Sequence, residues 1–191
     1  MSAASREPRE LPEIRTGRLL LRPLVREDLE AIHRIWTDPE VRRYLWDGER
    51  IPKEKAEAVL AGSIESFESR GFGIWGVVYD ESEELVGFCG FRSLDDTPEI
   101  ELLYGISTPQ WGMGLATEAA RAAIRFGFEE VGFDRILGIA DTENVASRRI
   151  LGKIGMRFEK RASHEGRDET HYAIRREEFR PADAYYAVRR T

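Results

Sequence analysis

The stretch Tyr104-Gly-Ile-Ser-Thr-Pro-Gln-Trp-Gly-Met-Gly-Leu-Ala-Thr-Glu-Ala119 decides how the rest of the chain is read. It passes from a strand-like run through two closely spaced glycines into an alanine-rich helical pattern. It therefore predicts a strand, a tight turn and the start of a long helix. The first turn of a helix carries backbone N–H groups without intrahelical partners and a partial positive charge, which suits a phosphate or pyrophosphate. Gly112 and Gly114 let the backbone curl around such a group with no Cβ in the way. No Lys or Arg stands between Tyr104 and Arg121, so any phosphate here falls to main-chain amides. The plainer alternative is a strand–helix connection whose glycines serve the turn alone.

Three phosphate-binding patterns compete for this turn. The Gly-x-x-x-x-Gly-Lys-Ser/Thr string is absent. A dinucleotide fingerprint is half met by Gly112-Met-Gly114 and by Asp141 after the next strand-like run. Yet Thr117 holds the third glycine position, and too little chain follows Asp141 for a second nucleotide-binding half. A coenzyme A site needs just one such turn for the pyrophosphate, beside a strand edge for the pantetheine amides.

Outward from the turn, the upstream half reads as an antiparallel meander with helices. Arg18–Leu24 is a first strand stopped by Pro23, and Arg26–Trp36 a helix with Leu29, Ile32, His33 and Trp36 on one face. Asp38-Pro39 breaks it and caps a short helix through Leu45, and a longer helix over Lys53–Ser69 ends at Gly71. Phe72–Tyr79, Leu85–Phe91 and Glu99–Ser107 are strands, the first two joined by a polar loop over 80–84. Downstream come a helix over Leu115–Val131, a strand over Arg135–Ala140 and a helix over Asn144–Ile154 closed by Gly155. Arg157–Arg161 and His171–Arg175 form a last antiparallel pair across a polar loop. The expected organisation is a flexible lead over 1–13 carrying Pro8 and Pro12, one folded unit over 14–180, and a tail over 181–191. A long meander followed by one crossover predicts a mixed α/β sheet, mostly antiparallel, with helices on both faces.

Composition narrows the function classes. The 191 residues are 41% hydrophobic, enough for a packed core, and the net charge of −6 argues against direct nucleic-acid binding. One cysteine, Cys89, excludes an intramolecular disulfide and a cysteine zinc cage, and between glycines 87 and 90 it reads as core. His33, His164 and His171 lack ligand spacing, so no metal is expected. No run approaches membrane-spanning length, and the polar, acid-bearing N-terminus is unlike a signal peptide. The expectation is a cytoplasmic protein without membrane contact.

The turn and its surroundings resemble the GNAT superfamily of acetyl-CoA-dependent N-acetyltransferases. That family's pyrophosphate motif, Arg/Gln-x-x-Gly-x-Gly/Ala, falls on Trp111-Gly-Met-Gly114-Leu-Ala116, with Trp111 a departure at its first position. A second block, Asn144-Val-Ala-Ser147 followed by Lys153-Ile-Gly155-Met156, resembles Asn-x-x-Ser/Ala-x5-Lys-x-Gly-Phe. Arg15-Thr-Gly-Arg18-Leu-Leu-Leu-Arg22-Pro-Leu, with Glu27-Asp28 and Asp38-Pro39-Glu40-Val41, is similar to the RimJ/RimL-type branch. The resemblance spans residues 14–180 and implies a GNAT-like acyl-CoA N-acyltransferase fold, acting as monomer or homodimer.

It also implies direct attack of an amine on the acetyl thioester in a ternary complex, with acetyl-CoA as cosubstrate and coenzyme A as product. Main-chain groups of Ile106, Ser107 and Thr108 then follow the pantetheine arm. The segment Trp111, Gly112, Met113, Gly114, Leu115, Ala116 and Thr117 takes the pyrophosphate. Asn144 contacts the arm, and Ser147 lies near the sulfur as proton donor. The family's frequent tyrosine four residues after Ser147 is here Leu151. Glu101 is the base candidate, on the strand entering the turn, against the alternative of a solvated outer-face carboxylate. Glu165 and His164 are the other bases considered. Trp36, Tyr44, Trp46 and His164 are expected at the acceptor mouth, where the acid-rich stretch of Asp95, Asp96, Glu99 and Glu101 could draw a cation. The acceptor is a primary amine, on a small molecule or a protein N-terminus. A non-catalytic acyl-CoA-binding domain is the rival reading, and a small dinucleotide-binding oxidoreductase the more distant one.

Overall fold

The computed structural model describes residues 10–94, 97–164 and 166–191. Residues 1–9, with Pro8, and Asp95, Asp96 and Glu165 lie outside them. In chain order the elements are β1 Pro12–Arg15, β2 Leu19–Pro23, α1 Leu29–Thr37, α2 Pro39–Arg42, α3 Lys53–Arg70, β3 Ile74–Tyr79, β4 Glu84–Ser93 and β5 Ile100–Ile106. There follow α4 Leu115–Phe126, β6 Arg135–Asp141, α5 Val145–Lys153, β7 Arg157–His164, β8 Arg167–Arg175 and β9 Ala187–Arg190. The strands form one sheet in the order β7-β8-β6-β5-β4-β3-β2-β1-β9. Every neighbouring pair is antiparallel except β5 with β6, which the crossover through α4 makes parallel.

The sheet has apolar residues on both faces because it is covered on both. Along β3, β4 and β5 alternate residues enter different clusters: Ile74, Phe88 and Leu103 pack with Ile32, Trp36 and Leu60 from α1 and α3. Trp75, Cys89 and Leu102 pack with Leu115, Ala119 and Ala123 from α4. Cys89 is fully buried, as the sequence suggested, and burial raises its thiol pKa far above the ordinary range.

The local signals work as read. Asp38 caps α2 by accepting hydrogen bonds from the Glu40 and Val41 amides. Gly71 closes α3 at φ +83°, a left-handed conformation that only glycine adopts cheaply. Corrections fall at the edges. Pro12 and Glu13, placed in the lead by sequence, belong to β1, and residues 187–190 of the tail form β9 beside it. Trp75 explains the docking of β1: fully buried, it donates its indole N–H to the Pro12 carbonyl at 2.8 Å. The polar loop after Arg161 is also shorter than expected, because β7 runs on to His164 and β8 starts at Arg167.

The link from β2 into α1 sets the helix over the cleft. Buried Asp28 takes a two-pronged hydrogen bond from Arg22 at 2.7 and 2.8 Å, and a third from the Val25 amide at 2.9 Å. Burial alone pushes the Asp28 carboxyl up, but the Arg22 and Val25 contacts outweigh it and hold the carboxyl below its ordinary value. A depressed folded pKa adds stability above the unfolded value that is lost as pH falls through the folded one. Asp28→Asn is therefore expected to cost about 1.5–3 kcal/mol near neutrality and almost nothing at about pH 2, read from urea unfolding at both pH values. An equal cost at both pH values would show that the charge is not what Asp28 contributes.

Candidate active site

β5 and β6 pair at one register position only, Glu101 with Leu137. Beyond it they diverge, because β6 is drawn to β8 along its whole length while β5 stays on β4. A cleft of about 1030 Å³ opens at this splay, reaching from α3 to the β7–β8 hairpin. Glu101, Asn144 and Ser147 line it, as do Trp36, Tyr44, Trp46 and His164, while Glu165, Asp95 and Asp96 lie outside the described residues. Trp36 is also core, 1% exposed, with Trp46 edge-on at 5.7 Å.

Glu101 is not the solvated outer-face carboxylate of the alternative reading, since it is 3% exposed. Its Oε2 accepts a hydrogen bond from Arg92 Nε at 2.6 Å. Burial raises its pKa most strongly, Arg92 opposes that rise, and the negative charge of Glu169 adds to it. Glu169 and His171, 3.3 Å apart on β8, line the same cleft. A carboxyl shifted above its usual range by burial, inside a cleft, is suited to exchange a proton with a bound amine.

On the far side of the splay, Asn144 caps α5 by accepting the Ser147 amide at 3.0 Å. Its side-chain oxygen is thus engaged in the cap, the structural alternative to its reading as a contact for the arm. Ser147 Oγ lies 2.8 Å from the Tyr104 hydroxyl. Tyr104 is the residue sequence reasoning missed. The position four residues beyond Ser147 holds Leu151, while β5 brings a tyrosine to Ser147 from 43 positions upstream. Burial keeps the Tyr104 phenol above its ordinary pKa, so it remains a proton donor at neutral pH.

The turn itself is built as a cradle. Gly112 and Gly114 sit at φ +81° and +80°, and Gly114 opens α4 with no side chain capping its first amides. Leu115 is buried and Ala116 packs on the core, so these two face inward and offer an anion only main chain. Trp111 and Met113 are exposed beside the turn, with the Trp111 indole donating to the Ile106 carbonyl at 2.6 Å. Ser107 departs from expectation: its amide is taken by Val86 and its hydroxyl by Gln110. Thr108 leads into a short 3-10 turn, its hydroxyl 3.5 Å from Asp38. The part of β5 that β6 does not pair is therefore Leu102–Ile106, with the Ile106 carbonyl taken by Trp111.

A cation does reach the turn, from outside the segment between Tyr104 and Arg121. Arg18 donates to the Met113 carbonyl at 2.9 Å and pairs with Glu118 at 2.6 Å. A second groove of about 740 Å³ continues from Gly114 and Thr117 past Arg18, Arg121 and Lys153. Uncapped amides, left-handed glycines and an adjoining basic groove fit a coenzyme's pyrophosphate.

Comparison with known proteins agrees with this geometry. A family model described as an acetyltransferase (GNAT) domain matches residues 18–157. The chain is 30% identical over 149 residues to the uncharacterized N-acetyltransferase YoaA of Bacillus subtilis, covering 78% of this chain and 84% of that one. It is 32% identical over 157 residues to the FsC-acetyl coenzyme A-N(2)-transacetylase of Aspergillus fumigatus, covering 76% and 65%. A GNAT-family acetyltransferase structure from Bacillus anthracis superposes with a TM-score of 0.74 at 28% identity, covering 87% of this chain and 99% of that one.

Proposed function

The chain belongs to the GNAT acetyltransferase family, and from that premise we propose that its cleft joins the acetyl group to a primary amine presented to Glu101. The protein is an acetyl-CoA-dependent N-acetyltransferase with a mixed α/β GNAT fold. The observation that carries the catalytic reading is the burial of Glu101 at the point where β5 and β6 part.

Acetyl-CoA supplies an activated thioester acetyl group. The chain's own residues have three tasks. The amides of Gly112–Thr117 hold the pyrophosphate, and the Arg18–Lys153 groove receives the nucleotide end beside them. The unpaired edge of β5 offers main-chain groups to the arm. Glu101 takes the proton of the acceptor amine. Ser147 gives a proton at the departing sulfur, and Tyr104 holds it in place: the phenol donates to the Ser147 carbonyl at 3.1 Å and lies 2.8 Å from Ser147 Oγ, a contact in which either hydroxyl can donate.

The acceptor is a primary amine on a small molecule or a protein N-terminus. The A. fumigatus relative, an N(2)-transacetylase by its description, supports a nitrogen acceptor. The opening motif from Arg15 to Leu24 supports placement near the RimJ/RimL branch. No helix among the described residues is long and apolar enough to cross a membrane, and the net charge and lone cysteine support a cytoplasmic enzyme, folded as one unit that includes β1 and β9.

The test is amine-dependent release of coenzyme A thiol from acetyl-CoA with free amino acids, spermidine and short peptides bearing free N-termini. Release with none of them, while acetyl-CoA binds, would favour a non-catalytic acyl-CoA-binding domain. With an accepted amine, Ser147→Ala and Tyr104→Phe are each expected to lower kcat with little change in the KM for acetyl-CoA. A hydrogen bond to a charged group is worth about 1.5–3 kcal/mol, so the loss is about 10- to 100-fold. An unchanged kcat in both variants would remove them from the proton path.

A further inference from the structure

β4 and β5 set Arg92 directly opposite Glu101 in their antiparallel register, so both side chains leave the same face of the sheet. The two ends of the pair differ sharply. The Glu101 side chain is 4% exposed and that of Arg92 54%. Other charged groups face Glu101 from several elements. Glu169 and His171 stand on β8, and Glu99, just before β5, is held by Arg135 of β6. Glu65 and Arg70 of α3 line the same cleft, with Arg70 donating to Ser93 Oγ at 2.7 Å. Among the described residues, Arg92 alone places a cation in hydrogen-bond contact with Glu101.

A carboxylate taken out of water and left without a partner holds its proton, and a protonated carboxyl cannot accept one from an amine. We infer that Arg92 is a positioning residue for acetyl transfer: it keeps Glu101 ionised and fixes Oε2, leaving Oε1 turned to the acceptor. This rests on the reading of Glu101 as base. Arg92 suits the task because its guanidinium reaches the buried carboxylate through Nε while the rest stays in solvent. The pair therefore avoids the full cost of burying two charges.

The experiment is a pH titration of protein labelled at the glutamate carboxyl carbons, followed by NMR, with the Glu101 signal identified by its loss in Glu101→Gln. Arg92→Gln is expected to raise the Glu101 midpoint by at least about one pH unit, since an adjacent opposite charge depresses a carboxyl by about 1–3 units. Arg92→Lys should restore part of the shift. Arg70→Gln, which removes a cleft arginine that does not touch Glu101, should leave the midpoint in place. The acid limb of kcat/KM, with the best amine of the panel above, should move with the midpoint. A midpoint unmoved by Arg92→Gln overturns the inference and leaves Glu101 free to act as base. A moved midpoint with an unmoved activity limb overturns the reading of Glu101 as base, and with it the role of Arg92 in transfer.

Discussion

Gly114→Val is expected to weaken acetyl-CoA binding by at least about a hundredfold, or about 2.7 kcal/mol. Gly114 lies at φ +80°, and the nearest atom to an added Cβ is Arg18 Nη2 at 3.7 Å. The protein thus has room for a side chain there, so the effect must come from the backbone and from the space reserved for an anion. A β-branched residue is strained in the left-handed region by about 1–2 kcal/mol and relieves that strain by turning the peptide. The amides opening α4 then no longer converge, and valine methyls occupy the anion's seat. The helix itself starts at the next residue and keeps its buried face of Leu115, Ala119 and Ala123, so folding suffers far less than binding. Calorimetric titration with acetyl-CoA, beside a circular dichroism melt, separates the two effects. Gly152→Ala, in α5 with open space around it, serves as a control for substituting a helical glycine. Undiminished affinity in a folded Gly114→Val protein would place the pyrophosphate elsewhere.

The legible parts of this molecule are those written in neighbouring residues. The strand–turn–helix from Tyr104, the Asp38 cap and the Gly71 stop each depend on local backbone chemistry, and the structure repeats them. The meander and crossover followed because alternation changes to helical spacing at sharp boundaries. Edge strands were not legible: β1 is short, starts with proline, and is held by a buried Trp75 and by β9 from the far end of the chain.

The same division runs through the site. Glu101 and Ser147 lie in recognisable segments, but their partners come by way of sheet register. Arg92 is matched to Glu101 only once β4 and β5 are aligned, and Tyr104 meets Ser147 only once α5 is folded over the splay. Alternation along β5 sets Glu101 on the face opposite Leu102 but does not tell whether that face is wet or dry. Helices α1 and α3, packed over the same side, decide that it is buried. Arg18 shows the limit of scanning one segment for a phosphate-side cation, since the groove is completed by a residue almost a hundred positions earlier.

Glu101→Gln is expected to lower kcat by about 10²–10⁴-fold, the range lost with a positioned acid–base group. The amide keeps the size of the carboxyl and an oxygen for Arg92 Nε, but it can neither hold the charge nor accept the amine's proton. Folding should not confound the result. The folded Glu101 carboxyl titrates above its ordinary value. Its ionised form is therefore penalised in the folded state, and stability falls as pH rises through the unfolded value toward the folded one. The neutral amide removes that penalty, so the variant should be at least as stable near neutrality, with Arg92 left in solvent. The pH profile should lose its acid limb while kcat falls. The loss should also depend on the acceptor: an α-amine with pKa near 8 is about one-tenth neutral at pH 7, whereas an alkyl amine near 10.4 is neutral only about once in 2,500 molecules. A base matters most where the neutral form is scarcest, so the variant should lose more activity toward a polyamine than toward an α-amine. Equal losses toward both would mean that Glu101 orients the acceptor rather than deprotonating it, and full activity toward both would exclude it from the reaction.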